Sequence, residues 1–122
     1  MRGGDRRLLG RWGEAQVAEY LRRRGYHIAA SGWQCRYGEI DLIATNETYI
    51  CFTEVKLRKD DGFAPARVFV NGSKQRKLRT AAELYLAQHS VILQPRFDVA
   101  EVYAPLGTET RNPVINYWEN AF

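Results

Sequence analysis

Two apolar runs dominate the pattern of the chain. EIDLIA (39–44) and YICFTEVK (49–56) are β-branched and aromatic, and they flank Thr45-Asn46-Glu47-Thr48, a turn-forming connection. Together they predict an antiparallel hairpin. Upstream, YHIAAS (26–31) predicts a short strand. Residues 5–24 carry apolar positions at helical spacing, with Asp5 as a candidate N-cap and Gly25 as the stop. Downstream, residues 57–71 read as a loop rich in charge, Gly and Pro, and 72–89 as a second helix capped by Asn71 or Ser73. FDVAEVY (97–103) predicts a further strand, and VINYWENAF (114–122) is an apolar tail of unassigned form.

A helix separates the second hairpin strand from FDVAEVY, which predicts a parallel pair with a right-handed crossover. The hairpin strands are apolar on both faces, as in a sheet covered on both sides. No repeat, low-complexity tract or linker breaks the chain. The expected fold is therefore one α/β domain over residues 1–122, in the order αβββαβ, with a mixed central sheet flanked by a helix on each face.

Against that apolar background the exceptions are Glu39, Asp41, Glu54 and Lys56. Side chains alternate along a strand, so Glu39, Asp41 and Ile43 share one face and Phe52, Glu54 and Lys56 another set. With 45–48 as the connection, Ala44 pairs with Tyr49, and Asp41 lies opposite Phe52 and diagonal to Glu54. A one-residue slip would send the two acids to opposite faces. Converging carboxylates in a covered sheet are desolvated and repel one another. A hard divalent cation, Mg2+ or Mn2+, removes both penalties, and Lys56 could then orient or deprotonate a water. The competing reading is a Glu54–Lys56 ion pair on a solvent-facing edge.

The helices add two further oddities. Glu14 falls on the apolar arc of the first helix, in line with Val17, Ala18 and Leu21, and is either a partner of Arg11 or a functional group aimed at the sheet. Gln75 aligns with Leu78, Ala82 and Tyr85 and so points inward near the start of the second helix. Lys74, Arg76 and Lys77 crowd its first turn, where the macrodipole disfavours cations. A bound phosphate would relieve that conflict, and a solvated basic face is the plain alternative.

Charge sharpens the picture. The net charge is +4 over 122 residues, yet residues 1–24 hold seven Arg against three acids, and 55–79 hold eight Lys or Arg against two. Basic flanks around an acidic centre suit a polyanion-binding protein with a metal site, although a solvated face explains the total as well. No apolar run is long enough for a membrane span, and the basic start has no hydrophobic signal region, so no membrane partner is expected. Cys35 and Cys51 lack metal or redox spacing and read as small buried thiols of a cytoplasmic protein. His27 and His89 receive no role.

GEIDLIA (38–44) and FTEVKLR (52–58), with the preceding GRWGEAQVA (10–18), the later Gln75-Arg76 helix with Ala81-Ala82 and Tyr85-Leu86, and RFDV (96–99), resemble the bacterial YraN-like family over nearly the whole chain. That family is similar to the PD-(D/E)xK nucleases, most closely to archaeal Holliday-junction resolvases and the tRNA-endonuclease-like fold. The resemblance implies a restriction-endonuclease-like core. It also implies Asp41 and Glu54 as metal ligands, Lys56 as the catalytic lysine, Glu14 as ligand or base, and Gln75 as a helix-borne site residue. The Pro that usually precedes the first Asp is replaced by Glu39-Ile40, leaving Glu39 as a further ligand or an entrance-lining residue. The implied activity is metal-dependent cleavage of structured or branched nucleic acid, DNA foremost, with Lys74, Arg76, Lys77, Arg79 and Arg58 on phosphates. A homodimer is compatible with the resemblance. The alternatives are a non-cleaving nucleic-acid-binding module, or an interaction domain that docks a partner on Tyr117, Trp118 and Phe122.

Overall fold

The predicted hairpin forms the centre of the molecule. The computed structural model describes residues 3–59 and 71–122. Along the described chain run α1 (Gly3–Arg23), β1 (His27–Cys35), β2 (Gly38–Thr45), β3 (Tyr49–Arg58), α2 (Gly72–His89), β4 (Gln94–Tyr103), a 3-10 turn at Gly107–Glu109 and β5 (Val114–Trp118). The sheet order is β1-β2-β3-β4-β5. β3 and β4 are parallel, as the intervening helix requires, and the other neighbours are antiparallel. The result is an α/β fold with a five-stranded mixed sheet between two helices, consistent with a restriction-endonuclease-like αβββαβ core extended by one edge strand.

Each helix buries one stripe. On α2, Leu78, Ala81, Ala82 and Tyr85 recur at helical spacing and pack on Ile43, Ile50, Phe52 and Val99. Asn71 opens that helix: its Oδ1 accepts from Lys74 N–H at 2.9 Å, which settles the cap in favour of Asn71 over Ser73. On α1, Val17, Ala18 and Leu21 pack on Leu42, Ala44, Ala100 and Val102. Removing any one of the large buried side chains would forfeit roughly 2–5 kcal/mol. Gly13 lets α1 approach the sheet, because a Cβ there would stand 2.9 Å from Leu57 Cδ2.

Several expectations are corrected. α1 begins at Gly3, ahead of the expected cap Asp5, and β1 runs to Cys35 rather than ending at Ser31. Gly32 does not end the strand. Instead, it continues the strand with φ +62°, a conformation open to Gly and unfavourable for other residues. Residues 57 and 58 extend β3 rather than open the loop, and most of that expected loop, with Arg67, lies outside the described residues. The tail is not an unassigned segment either. Val114–Trp118 forms β5, Asn120 N–H donates to Asp98 Oδ1 at 2.9 Å, and Phe122 packs on Phe97.

The hairpin register also moves. Thr45 pairs with Ile50 and Ala44 with Cys51, not Tyr49, because Asn46 N–H donates to Tyr49 O and the turn tightens to two residues, Glu47-Thr48. Asn46 Oδ1 accepts from both Thr48 N–H and Tyr49 N–H and holds the turn. The displacement is two residues, so side-chain parity survives.

Candidate functional site

β2 and β3 part company at the acids. The last ladder pair is Leu42 with Thr53, and one further step brings Asp41 level with Glu54. There Val55 N–H donates to Asp41 Oδ2 at 2.8 Å, so a side-chain oxygen takes the place of the next strand carbonyl. Strand alternation fails at the same point. Ile40 and Ile43 both pack into the α2-side core, although three residues apart they would face opposite ways in a regular strand. The expected sharing of one face by Glu39, Asp41 and Ile43 therefore does not hold. Asp41 sits at the fork, bordering hollows on both the α1 and α2 sides.

Glu14 reaches this fork from α1. Glu14, Glu39 and Asp41 each present an oxygen within 4.8 Å of the others. Gly32, on the neighbouring strand, makes room: a Cβ there would come 3.1 Å from Glu39 Oε1. The electrostatics match the crowding. Burial, then the charge of Glu54, pushes the Asp41 carboxyl up to about 7, against the lowering effect of the Val55 hydrogen bond. Burial and then Glu39 raise Glu14, while Arg11 and a hydrogen bond with Ser31 pull it back. Arg11 thus acts on Glu14 through charge, and the glutamate is directed to the sheet acids.

Glu54 has a different environment. Its side chain is 6% exposed, and its Oε1 lies 3.4 Å from Lys56 Nζ and 2.9 Å from Lys74 Nζ. β3 is the central strand of five, so this is not an ion pair on a solvent-facing edge. Burial works against the charge on Lys74, but the hydrogen bond and charge of Glu54 outweigh it and raise its pKa. The α2-side cleft, about 530 Å3, is lined by Tyr37, Glu39, Asp41, Glu54, Asn71, Ser73, Lys74 and Lys77. A smaller hollow of about 270 Å3 on the α1 side adds Arg7, Arg11 and Glu14.

The other expected phosphate contacts separate into two groups. Arg76 and Lys77 are exposed on the first turns of α2, and Lys77 lines the cleft. Gln75 is half-buried in the α2 stripe, as its spacing predicts. By contrast, Arg58 Nε pairs with buried Glu101 at 3.1 Å, and Arg79 stands 4.6 Å from the centre of the Phe97 ring. Arg58 is thus engaged within the fold, while Arg79, exposed, lies over the face of Phe97. His89 stacks on Tyr85, an intrahelical contact with no link to the site.

Sequence reasoning missed a second polar cluster. Asp98 is fully buried on β4, where it accepts from Arg96, from Tyr117 O–H at 2.6 Å and from Asn120 N–H. Tyr117 O–H also meets Thr53 Oγ1 at 2.9 Å. Burial and then Asp98 push the nearby Cys51 thiol up to about 12, as expected of an inert buried thiol, whereas Cys35 is only half-buried. Asp98 has donors for both oxygens. Its cluster locks β5 and the tail to the sheet, which leaves Tyr117 and Phe122 occupied within the fold rather than presented to a partner. The signal was the Arg-x-Asp spacing at 96 and 98, which places both on one strand face.

A divalent cation fits the fork on its donor chemistry: three carboxylate oxygens converge there, and Asp41 is held protonation-prone by burial and then by acidic neighbours whose charge a cation would offset. Among the described residues no helix is long and apolar enough to cross a membrane. The profile of the uncharacterised protein family UPF0102 matches residues 13–102. A UPF0102 protein of Nocardia farcinica is 41% identical over 122 residues, covering 99% of this chain and 94% of its own. One from Acetivibrio thermocellus is 37% identical over 121 residues, covering 97% and 93%. A third, from Alkaliphilus metalliredigens, is 38% identical over 115 residues, covering 93% and 96%.

Proposed function

The chain belongs to the UPF0102 family, whose name carries no activity, and from the site itself we propose a metal-dependent endonuclease acting on structured or branched nucleic acid, DNA foremost. The observation that carries this reading is the convergence of Glu14, Glu39, Asp41 and Glu54 with Lys56 at one strand fork, beside a helix start bearing Lys74 and Lys77.

Asp41, Glu14 and Glu39 would hold a magnesium or manganese ion, with Glu54 bordering the same space. Such an ion, when bound, polarises a water and offsets charge on phosphoryl oxygens. The chain's own residues supply the rest. Lys56, anchored on Glu54, orients the attacking water and donates toward the oxygen on which charge develops. Glu14 and Glu39 close the α1 side of the fork. Lys77 and Arg76 offer cations to the backbone of the nucleic acid. Contacts of this kind position phosphates and carry no base sequence. The competing reading, a non-cleaving binding module, draws on the two lysines that already satisfy Glu54. Incubation with a panel of branched and linear labelled substrates in Mg2+ or Mn2+ tests the reading. Cleavage by the wild type and none by Asp41→Asn is expected; tight binding without cleavage in either metal favours the competing reading.

A further inference from the structure

One oxygen of Glu54 receives two lysines from different elements, although a single ammonium would satisfy it. Lys56 belongs to the same strand and stands 3.4 Å away; Lys74 comes from α2 and stands closer, at 2.9 Å. Glu54 is almost entirely buried, while the Lys74 side chain is 44% exposed and opens into the cleft. Lys74 is therefore the most exposed member of the trio, and rotation of its own side chain would withdraw it into the cleft. Its backbone N–H stays fixed by Asn71, so the helix start does not move with it.

From this geometry we propose that Lys74 is an exchangeable counter-ion. It occupies the cation-accepting side of Glu54 in the metal-free protein and passes to a phosphate when a divalent cation enters. The inference rests on the reading of the site given above. A divalent ion beside Asp41 and Glu54 replaces the charge that Lys74 supplies and repels its ammonium. The released ammonium has a destination, because it lies on the first turn of α2 next to Lys77, where a phosphate would also receive the amide dipoles of the helix start. Binding of cation and of nucleic acid must then favour each other, by the same factor in both directions. Lys56, less exposed and carried by the central strand, stays with Glu54 throughout.

The test compares Lys74→Met with Lys77→Met. The two variants remove equal charge from one cleft, but among the described residues Lys77 has no ion pair to Glu54. Manganese affinity is measured by calorimetry on the folded apo proteins. Affinity for a fluorescein-labelled DNA four-way junction is measured in calcium, taken as a non-cleaving probe, and in EDTA. Lys74→Met is expected to bind manganese roughly threefold or more tighter than wild type, the scale of one competing ion pair, with a smaller change in Lys77→Met. Its loss of junction affinity should appear in calcium and nearly vanish in EDTA, whereas Lys77→Met loses affinity in both. Unchanged or weaker manganese binding by Lys74→Met overturns the proposal. So does an equal gain in Lys77→Met, or a junction loss that ignores calcium. Lys74→Gln serves the same comparison if the Met variant misfolds. A wild type that binds neither manganese nor DNA overturns the underlying reading of the site instead.

Discussion

Replacing Asp41 with Asn should stabilise the metal-free protein, and the gain should grow with pH. Asp41 is held by burial and by Glu54 at about 7 in the fold, against an ordinary value of 3.8. Its raised value means that the folded state keeps a proton which the unfolded chain has already lost. Stability contributed below the ordinary value is therefore lost as pH rises toward 7. At about 1.36 kcal/mol per pH unit, ionising Asp41 costs the fold roughly 4 kcal/mol at pH 8 and about 1 kcal/mol at pH 4.5. Asn keeps an oxygen for Val55 N–H, so the variant retains the hydrogen bond and loses the charge. Allowing for imperfect replacement, Asp41→Asn should be about 2–4 kcal/mol more stable at pH 8 in EDTA, some 8–16 °C in Tm for a domain of this size. Thermal unfolding of both proteins from pH 4.5 to 8 measures this directly. Saturating magnesium should shrink or reverse the difference, because the ion removes the repulsion only where the carboxylate is present. A variant no more stable than wild type at pH 8, or a gain that does not fall toward pH 4.5, refutes the reasoning.

Further expectations follow from named positions. A Cβ added at Gly10 would meet no packing neighbour within 4 Å, whereas one at Gly13 would stand 2.9 Å from Leu57. By differential scanning calorimetry Gly10→Ala should therefore gain about 0.5–1 kcal/mol and Gly13→Ala should gain nothing. Asp98→Ala strands buried Arg96 and Tyr117 and should cost roughly 3–5 kcal/mol in urea unfolding, with no change in manganese affinity. Arg79→Ala, by removing a cation over Phe97, should lower stability by about 0.5–2 kcal/mol while leaving the salt slope of DNA binding intact; charge reversal at Arg76 and Lys77 should flatten that slope by about one unit per lost contact.

Periodicity carried the architecture. The stripe of Leu78, Ala82 and Tyr85 marked α2 to its observed ends, and the helix before FDVAEVY required the parallel β3–β4 pair. The acids of the site stood out as charged positions in apolar strands, and the β2–β3 ladder, shifted by two residues from the expected register, brings Asp41 level with Glu54 although strand alternation breaks at Asp41. What escaped was set by long-range contact. The break in alternation at Asp41 and the room that Gly32 of the neighbouring strand leaves for Glu39 are not marked in the local pattern. Lys74 looked like one more exposed cation, because nothing near it in sequence shows that Glu54 lies 2.9 Å away. Arg58 and Arg79 looked equally available, yet Glu101 and Phe97, more than 15 residues distant, hold them.

Cleavage of a labelled four-way DNA junction in Mg2+, under single turnover, tests the central claim most directly when wild type, Asp41→Asn and Lys56→Ala are run together. Product is expected from wild type alone, with Lys56→Ala still binding both metal and junction, because its lysine acts on the transition state rather than on the ion. Product formed by Lys56→Ala at the wild-type rate, or a wild type that binds the junction and metal yet leaves every strand intact, would contradict it.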